Sequence, residues 1–270
     1  MSAIIKGLLR RFSTSIEDAG IDEAHLDISE AELPSEQIAA AIKQEINQAT
    51  GLTCSIGIGP SKLLAKIASD LDKPDGLTIL GQGDLEKRVW PLPVRKLPGV
   101  GPKTDEKLEE MGVRTIGALA ELPIARLVDA FGQAHGRWLY EAARGIDERP
   151  LVTHWEPRSM SHETTFQRDV GDWQVLARTL TRLALRVARE LRQEGYVGRT
   201  VTVKLRYADF ETHTHEKTLE EPTADPDAIQ RAAFECFARF RLEKEVRLIG
   251  VRVGDLHKAV AAHATSIAAS

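Results

Sequence analysis

The chain has 270 residues, more than one ordinary hydrophobic core holds, which predicts two or three compact modules. Its 42% hydrophobic and 28% charged content is that of a globular protein, and no apolar run approaches the roughly 20 residues that cross a bilayer, so membrane-spanning helices are excluded. The net charge of −4 argues against a nucleic-acid partner only as an average: it is −5 over residues 1–90 (9 basic, 14 acidic), −1 over 91–157 (9 and 10) and +2 over 158–270 (18 and 16).

From Met1 to Phe12, Ile4, Ile5, Leu8 and Leu9 alternate with Lys6, Arg10 and Arg11 as an amphipathic helix without a leader-peptide pattern. Cys54 and Cys236 are the only cysteines, so neither a disulfide framework nor a thiolate metal site is expected, and a cytoplasmic location is. A strand is expected over Ile21–Ile28, a helix over Ser35–Gln48, a strand over Leu52–Ile58 and a helix over Ser61–Leu71. The turn formers Lys73-Pro74-Asp75-Gly76 precede an apolar run, Leu77–Leu80, and Pro91 and Pro93 close this α/β module.

From Val94 to Ile146 the pattern is short helices separated by Gly and Pro, followed by a polar linker over Pro150–Pro157. The next segment reads as extended Ser159–Phe166, helix Asp172–Glu194, strands Arg199–Tyr207 and Glu211–Leu219, helix Asp225–Phe240 and strand Val246–Val253. That β-α-β-β-α-β order is the split βαβ arrangement of a ferredoxin-like sandwich. Strand alternation sets Thr202, Lys204 and Arg206 on one face and the apolar residues between them on the other. Ala259–Ser270 has too little bulk to pack and reads as a loose tail.

Three constellations could carry chemistry. Asp22-Glu23 sits in an otherwise apolar strand; it is either a solvated strand end or a Mg²⁺ site, since hard cations take carboxylate oxygens and substrate phosphates. Two-metal phosphoryl transfer would require a further acid from another strand. Lys73, fixed between a helix and Pro74, is either a solvated surface lysine or a triphosphate counter-charge; Lys62 and Lys66 share one helix face before it. Leu97-Pro98-Gly99-Val100-Gly101 before a short helix permits a tight hairpin whose amides approach phosphate, the helix-hairpin-helix pattern, against the alternative of a plain αα-hairpin. Phe131-Gly132 hints at a second copy. Among the later basic residues, Arg178, Arg182, Arg186 and Arg189 form one helical stripe that reads as a solvated face, whereas Arg158, Lys204 and Arg206 on strands are better placed for a duplex.

In order, Ile21-Asp22-Glu23-Ala24, the run Ser61–Asp70, Lys73-Pro74-Asp75-Gly76, Leu97–Gly101, Gly145-Ile146-Asp147 and His162–Phe166 closely resemble the Y-family translesion DNA polymerases, most nearly the bacterial DNA polymerase IV group. The resemblance implies a mixed α+β and α/β multidomain fold. It comprises a partial palm over 1–90, a helix-hairpin-helix thumb over 91–155, a ferredoxin-like little finger over 156–257 and a disordered tail over 258–270. It implies a DNA-directed polymerase that bypasses damaged bases, with Asp22 and Glu23 as catalytic Mg²⁺ ligands and Lys73 on the dNTP triphosphate. Gly99, Val100, Gly101, Arg158, Thr164, Lys204 and Arg206 would meet primer–template DNA.

In the family a first palm strand with another metal-binding Asp, a ribonucleotide-excluding aromatic and the fingers precede the segment that begins here with Met1, and this chain is expected to lack them. The two-metal site is therefore expected to be incomplete and polymerisation by this chain alone impaired. A sliding clamp is a possible partner in the family, but the tail shows no clamp-binding peptide. The alternative is a non-catalytic DNA-binding or accessory protein derived from such a polymerase; a helix-hairpin-helix nuclease would leave the Lys73 turn unexplained.

Overall fold

The computed structural model describes residues Met1–Ala259, which fall into two compact units, one of Met1–Trp155 and one beginning at Glu156. In the first unit the chain runs α1 (Ser2–Leu9), β1 (Ile16–Asp18), β2 (Ala24–Leu26), α2 (Ser35–Thr50), β3 (Ile56–Ile58), α3 (Lys62–Leu71) and β4 (Leu77–Ile79). Short tight turns then lead into α4 (Pro102–Glu110), α5 (Ile116–Glu121), α6 (Ile124–Phe131) and α7 (Gln133–Ala143). β1 pairs antiparallel with β2, and β3 pairs parallel with β4.

Two strands are shorter than their sequence predicts. Residues 21–23 do not join β2, because the amides of Ala19 and Gly20 both donate to the Glu23 carbonyl at 3.2 Å and fold them into the turn after β1. Acids disfavour strands, so the Asp22-Glu23 pair stands in the turn of a β1-β2 hairpin and not within an extended strand. Residues 52–55 are likewise not strand: the Thr50 hydroxyl accepts from the Leu52 amide and Asn47 donates to the Leu52 carbonyl, finishing α2.

Helix α3 is capped by the Ser61 hydroxyl, which accepts from the Leu64 amide at 3.3 Å. Its inner face buries Leu63, Leu64, Ile67 and Ala68 in a core shared with Leu80, Val94, Leu97, Leu108, Leu119, Leu127 and Leu139. One helix thus ties the strands before it to the helices after it. A smaller cluster of Leu9, Ile38, Ile42 and Ile46 lies between α1 and α2.

β3 approaches α3 backbone to backbone. A Cβ at Gly57 would collide with the Ala65 carbonyl and the Ser69 amide, and one at Gly59 would stand 2.8 Å from the Ala65 amide.

The second unit contains β5 (Ser159–Val170), α8 (Trp173–Gln193), β6 (Tyr196–Tyr207), β7 (Thr212–Thr223), α9 (Pro226–Phe237) and β8 (Val246–Lys258). This is the β-α-β-β-α-β order read from the sequence. The four strands form an antiparallel sheet in the order β5-β8-β6-β7. α8 opens on Asp172, which accepts from the Gln174 amide, and α9 on Asp225, which accepts from the Ala228 amide, both at 2.8 Å.

Leu176, Leu180, Leu183, Val187 and Leu191 of α8 pack on Val201, Val203, Leu205, Ile249 and Val251, closing one face of the sheet. Each such side chain contributes about 2 kcal/mol on burial. β8 continues past Val253 because Leu256 packs on this core and His257 and Lys258 pair with Val197 and Tyr196. Lys258 therefore ends a strand, while the tail expected from there onward lies outside the described residues after Ala259.

Gly57→Ala should lower stability by about 3 kcal/mol, the upper range for an overpacked site whose neighbour is rigid backbone. Urea unfolding checks this; a change under 1 kcal/mol would show that β3 can move off α3.

Candidate active site and nucleic-acid interface

The β1-β2 turn projects Asp22 and Glu23 to the surface, where the Glu23 carboxylate is engaged by Lys66 of α3. Lys66 also lies 3.6 Å from Asp70, and Asp70 pairs with Lys73 at 2.5 Å. Partial burial alone would push the Asp70 carboxyl up, but the Lys73 hydrogen bond and the Lys66 charge outweigh it and hold the group below the ordinary carboxylate range. Lys66 is correspondingly held above the usual lysine range: burial opposes its charge, and Glu23 and Asp70 more than compensate.

Asp22, Glu23, Lys66 and Lys73 all line one cleft of about 370 Å³, whose floor is apolar and includes Leu26, Ile38, Ile42 and Ile56. The Lys73 turn at its rim is braced from α2, where Lys43 donates to the Cys54 carbonyl at 2.6 Å and the Asp75 carbonyl at 2.8 Å.

Carboxylate oxygens are the right donors for Mg²⁺, so Asp22 and Glu23 fit a hard cation as a partial ligand set. Among the described residues no cluster of three metal-ligating acids, histidines or cysteines occurs. The further acid that a two-ion site requires is thus not found among them.

Behind this turn lies a second charge cluster that sequence reasoning missed. Glu17 of β1 accepts from Lys62 at 2.7 Å and from the Val152 amide at 2.8 Å, and Lys62 also donates to the Pro150 carbonyl. Asp147, with its side chain 4% exposed, accepts from the Leu63 amide at 3.1 Å and from Arg149 at 2.6 and 2.9 Å. The segment after α7 is thereby fastened to the N-terminus of α3. Only the Gly145-Ile146-Asp147 motif signalled it, and β1 itself gave no pattern.

His25, half-buried beside Glu17 and Lys62, is held below the ordinary imidazole value chiefly by loss of hydration.

Gly99 adopts φ +96°, and a Cβ there would stand 2.7 Å from the Trp138 ring. Val100 is buried and its amide donates to the Leu97 carbonyl, while Gly101 is the N-cap of α4. A tight hairpin therefore delivers the chain to an open helix N-terminus, as the glycine spacing predicts. Gly132, at φ +82°, joins α6 to α7 in the same way, and Gly136 lets those helices touch.

In the second unit the outward sheet face is a regular grid. Glu163, Gly250, Lys204 and Thr214 form one row across the four strands; Ser161, Arg252, Thr202 and Glu216 form the next, and Thr165, Leu248, Arg206 and Thr212 a third. Arg206 donates through Nε to Thr212 at 2.9 Å, and no bond engages its terminal nitrogens among the described residues. Lys204 pairs with Glu163 at 2.9 Å across Gly250, where a Cβ would press on the Glu163 side chain at 3.0 Å. Thr202, 9% exposed, has a buried hydroxyl with no partner among the described residues.

Arg158 is exposed just before β5. Thr164 turns its side chain toward the helices, but β5 is an edge strand, so alternate amides along it lie open. Arg252, which alternates with buried Val251 and Val253, is a member of this face that the sequence reading passed over.

The chain matches the impB/mucB/samB family over residues 1–70, a thumb domain described as DNA polymerase-iota over 95–147, and the impB/mucB/samB C-terminal domain over 157–267. It is 45% identical over 258 residues to the DNA polymerase IV of Methanoculleus marisnigri, covering 95% of this chain and 71% of that one. The chain belongs to the Y-family DNA polymerases. The DNA polymerase IV proteins of Moorella thermoacetica and Streptomyces coelicolor are each 39% identical over 261 residues. They are matched over 65% and 54% of their lengths, so the chain spans little more than half to two thirds of these two relatives. A solved Y-family DNA polymerase chimera shares the fold, with a TM-score of 0.82 at 24% identity over 94% of this chain and 74% of that one. The mixed α+β architecture is thus that of a Y-family chain.

Asp147 and Glu17 are both held below their ordinary values, Asp147 chiefly by its bond to Arg149, Glu17 by Lys62 and the Val152 amide against the opposing effect of burial. Depressed carboxyls stabilise above the ordinary carboxylate range, and that stabilisation is lost as pH falls through their lowered values. Asp147→Asn should therefore cost about 1–2 kcal/mol at neutral pH and flatten the loss of stability below about pH 4. Thermal melts at pH 3–7 check it; an unchanged acid limb would show that Asp147 is not a determinant of it.

Proposed function

We propose that this chain carries the DNA-binding surfaces and part of the catalytic centre of a translesion DNA polymerase. A palm segment would occupy residues 1–90, a helix-hairpin-helix thumb 91–155 and a little finger 156–257. The observation that carries the reading is the convergence of Asp22, Glu23, Lys66 and Lys73 on one cleft mouth, two acids and two bases drawn from a turn, a helix and a braced loop. In the reaction of the family, a primer 3′-hydroxyl gives up its proton and attacks the α-phosphate of a dNTP, and the α–β phosphoanhydride bond breaks to release pyrophosphate. Bound Mg²⁺ would supply charge neutralisation at the phosphoryl oxygens.

This chain's residues would do the following. Asp22 and Glu23 offer oxygen ligands, with Glu23 released from Lys66 as it does so. Lys73, 54% exposed, swings from Asp70 to the triphosphate. The amides at the start of α4 take backbone phosphates, as do Arg158, Arg206, Lys204 and the open edge of β5 near Thr164.

A second reading, a non-catalytic DNA-binding protein, is favoured by one observation: Glu23 is already neutralised by Lys66, with no third carboxylate grouped beside the pair among the described residues. Primer extension separates the two. The 270-residue polypeptide should extend a primer with Mg²⁺ and dNTPs on the order of 10³-fold more slowly than a full-length relative, equivalent to about 4 kcal/mol of lost charge stabilisation. Asp22→Asn should abolish the remainder. Extension at the relative's rate would show that the acids present suffice, and none at all would favour the binding-only reading.

Duplex binding should be sequence-independent and fall with salt at a slope of about −0.9 per phosphate contact. Arg206→Ala should reduce the slope by about one unit, whereas Glu163→Gln, which frees Lys204, should tighten binding and steepen the slope by up to one unit. Fluorescence anisotropy against salt measures both. No binding at low salt would remove the DNA-binding assignment.

A further inference from the structure

Helix α8 carries Arg178, Arg182, Arg186, Arg189 and Arg192, and all five are exposed. At 100° per residue they fall within an arc of about 120°, and at 1.5 Å per residue they extend about 21 Å, each step three or four residues and so close to one turn. The helix has one acid, Glu190, four residues after Arg186 at the border of the stripe, and its carboxylate meets His162 of β5 at 2.6 Å instead of an arginine. No carboxylate lies within ion-pairing distance of the five arginines among the described residues, although Lys62, Lys66, Lys73, Lys204 and Arg149 all have such partners. A solvated face would ordinarily interleave acids at i±4 to relieve this repulsion. Here a helix of charge +4 stands in a chain of net charge −4, with its positive groups gathered on one side.

This surface is distinct from the sheet face discussed above. The inner face of α8 buries Leu176, Leu180, Leu183, Val187 and Leu191 against the sheet, so the arginines point away from it. Lys204, Arg206 and Arg252 lie on the opposite side of the sandwich.

We propose that the arginine face of α8 is a second nucleic-acid surface, which takes the phosphate backbone of a duplex independently of the sheet. Three observations select that occupant. Guanidinium forks match phosphate oxygens, and a rise of about 4.5–6 Å per step presents roughly one per turn to a repeating anion. Leu185 is the one large apolar side chain exposed on the stripe, so the apolar anchors that centre a protein interface are lacking. No aromatic side chain stands on the stripe to stack an unpaired base, which favours a duplex over a single strand.

The test titrates a short labelled duplex into the whole chain at low salt and follows anisotropy over a salt series. Three chains are compared: the unaltered one, Arg182→Gln/Arg186→Gln/Arg189→Gln, and Lys204→Ala/Arg206→Ala. The α8 variant should bind one duplex fewer per chain and lose about 2.7 units of total salt slope, three contacts at about 0.9 each. The sheet variant should lose its own share while the α8 contribution persists. If the α8 variant keeps the full stoichiometry and slope, the proposal is overturned, whatever the sheet variant does. If only the sheet variant leaves binding unchanged, the sheet-face reading fails and the α8 proposal stands.

The substitutions lie on a solvent-facing stripe of a helix whose core is untouched; Arg182→Lys/Arg186→Lys/Arg189→Lys keeps the charge should the glutamine variant melt early, and should weaken binding less than tenfold. Capture of poly-glutamate by the stripe, with duplex binding unaltered in the variant, would assign it instead to an acidic protein and overturn the proposal.

Discussion

The first unit depends on the contact between β3 and α3. With no side chain at Gly57 or Gly59, strand and helix backbones meet directly, and α3 is set at a depth no larger residue would allow. From that position its inner face joins the core of the later helices, while its outer face offers Lys62 to Glu17 and Lys66 to Glu23. Asp147 then caps the same helix from a point 84 residues further along the chain. Packing, charge neutralisation and capping all meet on ten residues. The acidic turn is placed mostly from outside itself: β1 and β2 are three residues each, too short to fix it unaided.

The second unit solves a different problem. Its sheet is hydrophobic toward α8 and α9 and polar on the other side, and strand alternation separates the two characters cleanly. The outward grid combines hydroxyls with charges of both signs, and the charges are partly compensated, as at Glu163–Lys204. Thr202 holds a buried hydroxyl without a partner among the described residues, a polar group whose desolvation no hydrogen bond there offsets.

Long, periodic elements were legible in the sequence because their patterns are local. α8 and α9 start at the aspartates that cap them, and the 2-residue alternation of β6 identifies both of its faces. The glycines at 99 and 101 announced a hairpin because only a few conformations tolerate that spacing. What escaped was decided across distance. β1 has no period of its own, and Asp22-Glu23 looked like strand until the Glu23 carbonyl was found to accept two amides from the preceding residues. Glu17 is unmarked in sequence, and Lys62 and Asp147, though they lie in recognisable motifs, take their meaning from partners distant in the chain, as Glu17 does from Val152, 135 residues away. Arg252 was passed over because a lone arginine between valines gives no signal until its neighbours on two other strands are known.

The Lys66–Glu23 pair has a consequence for how the acidic turn could ever be loaded. A tethered ammonium competes with any incoming cation at a high effective concentration, and dilution cannot remove it. Occupancy is therefore an exchange: the ammonium must leave for a cation to enter, so a divalent ion raises the net charge of the turn by one while a monovalent ion leaves it unchanged. Such a site discriminates by charge density more than by attraction alone, since a divalent ion gains where a monovalent one merely replaces like with like. The lysine acts as a resident competitor, setting a threshold of affinity that a ligand must exceed before it is admitted.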